Sequence, residues 1–144
     1  HRGLLPVSNL LFLAVRMGLF RSADRGATWE DMEIGRFSPL TYARDVRVSP
    51  HDARTLVACL SPAARSEDGS LYRSDDLGRT WRRIDHGVKA HGTMMSVALH
   101  PKDPGQVYGA TRSGQIFGTQ DGGQTWHEYS LPDGTQDVYA VACA

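Results

Sequence analysis

The sequence predicts an all-β fold of repeated antiparallel meanders, and three observations carry that prediction. One eight-residue pattern, Ser/Thr-x-Asp-x-Gly-x-Thr-Trp, occurs at Ser22–Trp29, Ser74–Trp81 and Thr119–Trp126. The copies start 52 and then 45 residues apart, so the chain is a repeat array. Short alternating apolar segments flank each copy, and 15 Gly and 7 Pro in 144 residues supply the turns between them.

Each position of the pattern has a physical reason. Ser22, Ser74 and Thr119 stand two residues before Asp24, Asp76 and Asp121, and both side chains can accept hydrogen bonds from nearby backbone N–H groups. Such bonds close a compact turn without ladder partners. Gly26, Gly78 and Gly123 permit the positive φ that a side chain opposes. Trp29, Trp81 and Trp126 are each expected to be buried, anchoring the turn against its own sheet. These twelve residues hold structure, so no catalytic role is expected of them.

The repeat extends beyond the pattern. Val46–Val48 runs into Pro50 and Asp52, as Val97–Leu99 runs into Pro101 and Asp103. Thr55–Leu60 matches Gln106–Thr111, and Gly69–Arg73 matches Ser113–Phe117. A fourth strand starts at the pattern Trp, over Trp81–Ile84 and Trp126–Tyr129. A four-stranded meander repeated in this way is a β-propeller blade. The first repeat offers Leu10–Val15, Gly18–Arg21 and Trp29–Met32, with nothing upstream for an innermost strand, while Asp137–Ala144 reads as an innermost strand alone.

The expectation is therefore three blades of four antiparallel strands in one unit, residues 1–144. Blade one covers 7–34 and is completed by strand 137–144, blade two covers 45–86, and blade three covers 94–131. Three blades are fewer than the usual four to eight. Two copies head to tail would close a six-bladed ring with twofold symmetry, a homodimer with exchanged closing strands. The alternative is that the chain is a piece, or one half, of a longer single-chain propeller.

Sixteen basic and 16 acidic residues leave no net charge, which argues against general nucleic-acid or anionic-membrane binding. Cys59 and Cys143 are isolated in apolar runs and read as free thiols. No run reaches a membrane span, and no basic-then-apolar leader is legible at the N-terminus, so the reading favours a cytoplasmic setting. No cofactor and no metal are expected. Asp85, His86 and His91 fall within seven residues but share no regular element that would converge them on an ion.

In an up-and-down blade the turns alternate between two faces. The pattern turns and the Pro-Asp turns share one face; the second-to-third turns and the blade-to-blade links share the other. From Pro50 to Asp76 is 26 residues against 20 from Pro101 to Asp121, and the extra six fall in the second-to-third loop Ser61–Asp68. Arg16, Arg44, Arg65, Lys89, His91 and Arg112 are the candidate ligand-binding residues, a set that would ring one mouth with positive charge. An anionic or sugar-like ligand suits them, since Arg grips carboxylates in bidentate fashion. The competing reading pairs these cations with Asp45, Glu67, Asp68 and Asp137 as solvated loop charges.

The eight-residue pattern resembles the Asp-box, or BNR, repeat of sialidases, sortilin-type receptors and many bacterial proteins of unknown role. In those families the box is a turn inside each blade of a β-propeller. The resemblance does not extend to sialidase catalysis. The nearest match to the Arg-Ile-Pro motif of sialidases is Arg83-Ile84-Asp85, which lacks the Pro and follows the second box, and no catalytic residue carries over. The favoured reading is a non-catalytic binding or scaffold propeller. The alternative is a glycoside hydrolase of the sialidase-like superfamily, with Asp45, Glu67, Asp68 and Asp137 as candidate carboxylates.

Overall fold

The computed structural model of the chain describes residues 9–144. The alternating segments form eleven strands: β1 (Leu11–Val15), β2 (Gly18–Ser22), β3 (Glu30–Asp31), β4 (Tyr42–Val48), β5 (Leu56–Ser61), β6 (Ser70–Ser74), β7 (Arg82–Arg83), β8 (Met94–Leu99), β9 (Val107–Thr111), β10 (Ile116–Thr119) and β11 (His127–Tyr129). A single 3-10 turn, Ile34–Arg36, begins the link between β3 and β4. Pairing is antiparallel throughout and gives three sheets, β1-β2-β3, β4-β5-β6-β7 and β8-β9-β10-β11. These are the expected blades. Residues 7 and 8 and the stretch upstream, where an innermost strand of blade one was sought, lie outside the described residues.

The apolar runs are buried because the sheets stack face to face. All six residues of β5 are buried, since both faces of the middle blade are covered. Ala58, Leu60 and Tyr72 pack with Leu19, Met32 and Ile34 of blade one, whereas Val57, Cys59 and Leu71 pack with Met94, Val97 and Phe117 of blade three. Each fully buried Leu or Val contributes about 1.5–3 kcal/mol. The outermost strands β3, β7 and β11 are only two or three residues long and exposed, shorter than their sequence runs suggest. Short edges of this kind resist unwanted pairing.

The innermost strands carry one bulge each, between Ala43 and Asp45 in β4 and between Met94 and Ser96 in β8. The bulge aims Asp45 at the next blade. Its Oδ2 accepts the Val97 N–H at 3.1 Å and the Ser96 hydroxyl at 3.4 Å. Ser96, at the equivalent bulge, in turn accepts the Val141 N–H at 3.1 Å. Residues 137–144 therefore run beside β8 in an innermost-strand position, but they form no ladder among the described residues and are not a strand. Their recorded bonds are to the Ser96 side chain and, from the Val138 N–H, to the Arg112 carbonyl, rather than to a strand edge.

One expectation about the box Trp fails. Trp81 is 5% exposed, but Trp29 is 42% exposed. Trp81 packs with Met32 and Ile34 of the preceding blade as well as with its own sheet, and the partly buried Trp126 donates to the Ile84 carbonyl of the preceding blade; among the described residues no blade precedes Trp29.

Candidate groove on the loop face

The three boxes close alike. Ser22 Oγ donates to Asp24 Oδ1 and accepts the Gly26 N–H, each at 2.8 Å, while Asp24 accepts the N–H and hydroxyl of Thr28. Ser74, Asp76, Gly78 and Thr80 repeat the arrangement, as do Thr119, Asp121, Gly123 and Thr125. Bonds from the Thr28 hydroxyl and N–H and from Ser22 lower the Asp24 pKa to about 2, and the Thr125 and Thr119 bonds do the same for Asp121. These carboxylates are occupied in holding turns.

The opposite face is built from longer segments. The β5–β6 loop leans over the link into β8: the Thr93 hydroxyl donates to Ala63 O at 2.9 Å, Ser66 Oγ lies 2.9 Å from Thr93 Oγ1, and Ser61 Oγ accepts the Met94 N–H at 2.9 Å. The β9–β10 turn joins from the other side, with the Arg112 N–H donating to Thr93 O at 2.8 Å. Gly92 lies so close to Ser113 that a Cβ would sit 2.7 Å from its hydroxyl. Between these walls runs a groove of about 260 Å³, lined by Arg65, Ser66, Gly92, Arg112, Ser113, Gln136 and Asp137. Arg112 is held in place: its Nε is 3.4 Å from Asp137 Oδ1 and its guanidinium lies 5.6 Å from the Tyr139 ring centroid.

Of the six candidate cations, this groove unites Arg65 and Arg112. Lys89 and His91 line a different groove, with Phe117, Trp126 and His127. Their backbone is fixed by Gln115, whose Oε1 accepts the His91 N–H at 2.6 Å and whose Nε2 donates to Lys89 O at 3.1 Å. Arg16, on the β1–β2 turn, and Arg44, at the β4 bulge, are exposed and line neither groove. The described residues thus place two of the six cations in one groove and two in another. Gln115 had no signal in the sequence; its role depends on a link 24 residues away.

The other candidates are placed as follows. Asp45 is the interblade clip described above and also pairs with Arg47 at 3.2 Å. Asp68 caps its own loop by accepting the Gly69 N–H, and Glu67 is exposed. Asp85 is buried, with Oδ1 accepting from Ser70 at 2.6 Å and Arg83 at 2.9 Å, while its Oδ2 has no partner among the described residues. His86 is exposed, and no metal-holding group of three His, Cys, Asp or Glu side chains exists among the described residues. Cys59 and Cys143 are free, and burial pushes the Cys59 thiol well above its ordinary range, with Asp45 adding to the effect. No helix among the described residues is long and apolar enough to cross a membrane.

The family model for sortilin (Sortilin-Vps10; neurotensin receptor 3) matches residues 69–142, which carry the second and third boxes and both walls of the groove apart from Arg65 and Ser66. The chain belongs to the sortilin–Vps10 family. It is 34% identical over 67 residues to the vacuolar protein sorting/targeting protein 10 of Emericella nidulans, a match covering 46% of the chain and 5% of that protein. This sortilin–Vps10 chain thus spans a small fraction of the curated relative, and that relative is fungal rather than bacterial. Among solved structures, an ancestral GH74 enzyme superposes with a TM-score of 0.68 at 17% identity, over 92% of this chain and 18% of the enzyme. YCF48 bound to D1 peptide superposes with a TM-score of 0.58 at 20% identity, over 81% of this chain and 35% of YCF48. At these identities the likeness is one of fold.

Proposed function

We propose that this sortilin–Vps10 chain is a non-catalytic binding segment of a propeller, and that it holds an anionic stretch of a polypeptide in the groove between Arg65 and Arg112. The observation that carries the reading is the placement of two guanidinium groups in one groove on the loop face, flanked by the Ser66 and Ser113 residues. Guanidinium forks match carboxylate geometry, and each charge-assisted bond is worth about 1.5–3 kcal/mol. The relative's name as a sorting and targeting protein and the peptide held by YCF48 support a polypeptide ligand over a sugar. A glycoside hydrolase would need two carboxylates about 5–10 Å apart across a cleft. Asp45 and Asp137 are instead engaged with protein partners, which favours the binding reading.

Fluorescence anisotropy with labelled acidic, neutral and basic peptides tests the proposal. Acidic peptides should bind best, and Arg112→Ala or Arg65→Ala should weaken them at least about tenfold, with thermal unfolding of Arg65→Ala unchanged. Equal affinity for the three peptide classes, or binding indifferent to both substitutions, would overturn it.

A further inference from the structure

The two interblade contacts use equivalent residues but are covered differently. Tyr72 and Phe117 each stand two residues before a box, and Trp81 and Trp126 close their boxes. Past the equivalent Met32 and Ile84, the two links diverge. The link after β3 adds buried Ile34 and partly buried Phe37 and Leu40 to the cluster that holds Tyr72 and Trp81. The link after β7 adds the smaller Val88 and Ala90 to the cluster that holds Phe117 and Trp126. Trp81 is accordingly 5% exposed, whereas Trp126 is half-buried and borders the groove of about 230 Å³ that Lys89 and His91 also line. The Trp126 Nε1 donates to the carbonyls of Ile84 and Gly123 at 3.0 and 3.1 Å. The only polar group of the indole is thus engaged, and the ring offers the groove hydrocarbon. Gly87 leaves the mouth open, with nothing within 4 Å of where its Cβ would be.

This groove adjoins the one between Arg65 and Arg112. His91 lines the first and Gly92 the second, so one backbone ridge separates them. Consecutive Cα atoms are about 3.8 Å apart. Gln115 holds the ridge from below: its Oε1 accepts the His91 N–H at 2.6 Å and the hydroxyl of Ser113, which lines the second groove, at 3.5 Å. Lys89 is exposed and forms no ion pair among the described residues, so its charge continues that of the two arginines across the ridge.

We propose that the groove at Trp126 takes an aromatic side chain from the same polypeptide whose acidic stretch lies between Arg65 and Arg112. This rests on the binding role assigned above to the arginine groove and adds a second half to the element recognised. The carboxylates meet the guanidinium pair, and about two to four residues away along an extended chain a ring lies against Trp126. Aromatic pairs gain beyond the area they bury, which favours a ring over an aliphatic side chain. An aromatic anchor in a pocket with a polar rim is also the commonest source of discrimination at an interface.

The test is fluorescence anisotropy with two acidic peptides, identical but for one Phe or Ala placed about three residues from the acidic stretch. The Phe peptide should bind at least about tenfold more tightly. Lys89→Trp places bulk over the groove from an exposed position, while Gln115 still holds the Lys89 carbonyl at 3.1 Å. It should bring the Phe peptide down to the Ala level with thermal unfolding unchanged. A peptide with benzoylphenylalanine in place of Phe reads the site with the protein unaltered, and on irradiation it should cross-link within residues 87–91 or 117–128. Equal binding of the Phe and Ala peptides, with Arg65→Ala still weakening both, would overturn this inference and leave the arginine groove standing. A Phe preference that survives Lys89→Trp, or a cross-link mapped elsewhere, would overturn it as well. A Phe preference indifferent to the acidic residues and to Arg65→Ala would remove the arginine groove instead, and with it the paired recognition.

Discussion

Gly78 and Gly26 hold the same backbone conformation, with φ of 87° and 90°, but different surroundings. An Ala at either pays the left-handed strain, about 1 kcal/mol. Only at Gly78 does the new Cβ also meet the Met32 sulfur. Thermal denaturation should therefore show Gly78→Ala to be the more destabilising, by about 1–3 kcal/mol for the overpacking, and equal losses would remove the Met32 contact from the account. The residue before each box Gly is left-handed too: Arg25 and Leu77 at φ 62°, Gly122 at 74°. The pattern reading found the Gly and overlooked its neighbour, because Arg and Leu give no hint of a positive φ. The same scale covers Cys59, which should resist a thiol reagent until the protein unfolds while the half-buried Cys143 reacts in the folded protein; equal labelling in the folded state would contradict its burial.

At the scale of elements, the Pro-Asp turns show how one job is done by different chemistry. In blade two Ser49 Oγ accepts the N–H groups of His51 and Asp52 at 3.1 and 3.3 Å. In blade three His100 Nδ1 accepts those of Lys102 and Asp103, both at 3.0 Å. His100→Ser should be nearly neutral and His100→Ala should cost about 1 kcal/mol by denaturant titration, the value of a lost cap; the reverse order would rule out capping. Trp81→Ala should cost about 3–5 kcal/mol as a buried large-to-small change, well above Trp29→Ala, whose side chain is far more exposed. Strands and boxes were legible in the sequence because they rest on alternation and local turn bonds. The Asp45 clip and the Gln115 anchor were not, because each depends on a partner brought in by register: 52 residues away for Val97 and 24 for His91. The grouping of the candidate cations was hidden for the same reason. Placing six cations on one face did not determine which of them would share a groove.

For the whole molecule, the box carboxylates contribute to the acid limit, together with Asp103 of a Pro-Asp turn, which Gln106 and the Gly105 N–H also hold below the ordinary range. Asp24 and Asp121 titrate near 2 rather than the ordinary 3.8, and Asp76 is also lowered: burial opposes, but the Thr80 and Ser74 bonds outweigh it. A depressed carboxylate stabilises the fold above its unfolded value and loses that contribution as pH falls through its folded value. Stability should hold above about pH 4 and fall between pH 4 and 2, with Asp24→Asn flattening that slope; an unchanged slope in circular-dichroism titrations would remove the boxes from the account. The stacking of blades has a last consequence, in amide exchange. Each box closes through its own bonds, while each sheet borrows its cover from a neighbour, so stability propagates as in a one-dimensional array. The amides of β5, sheltered from both sides, should be the last to exchange, with protection falling towards β1 and β11.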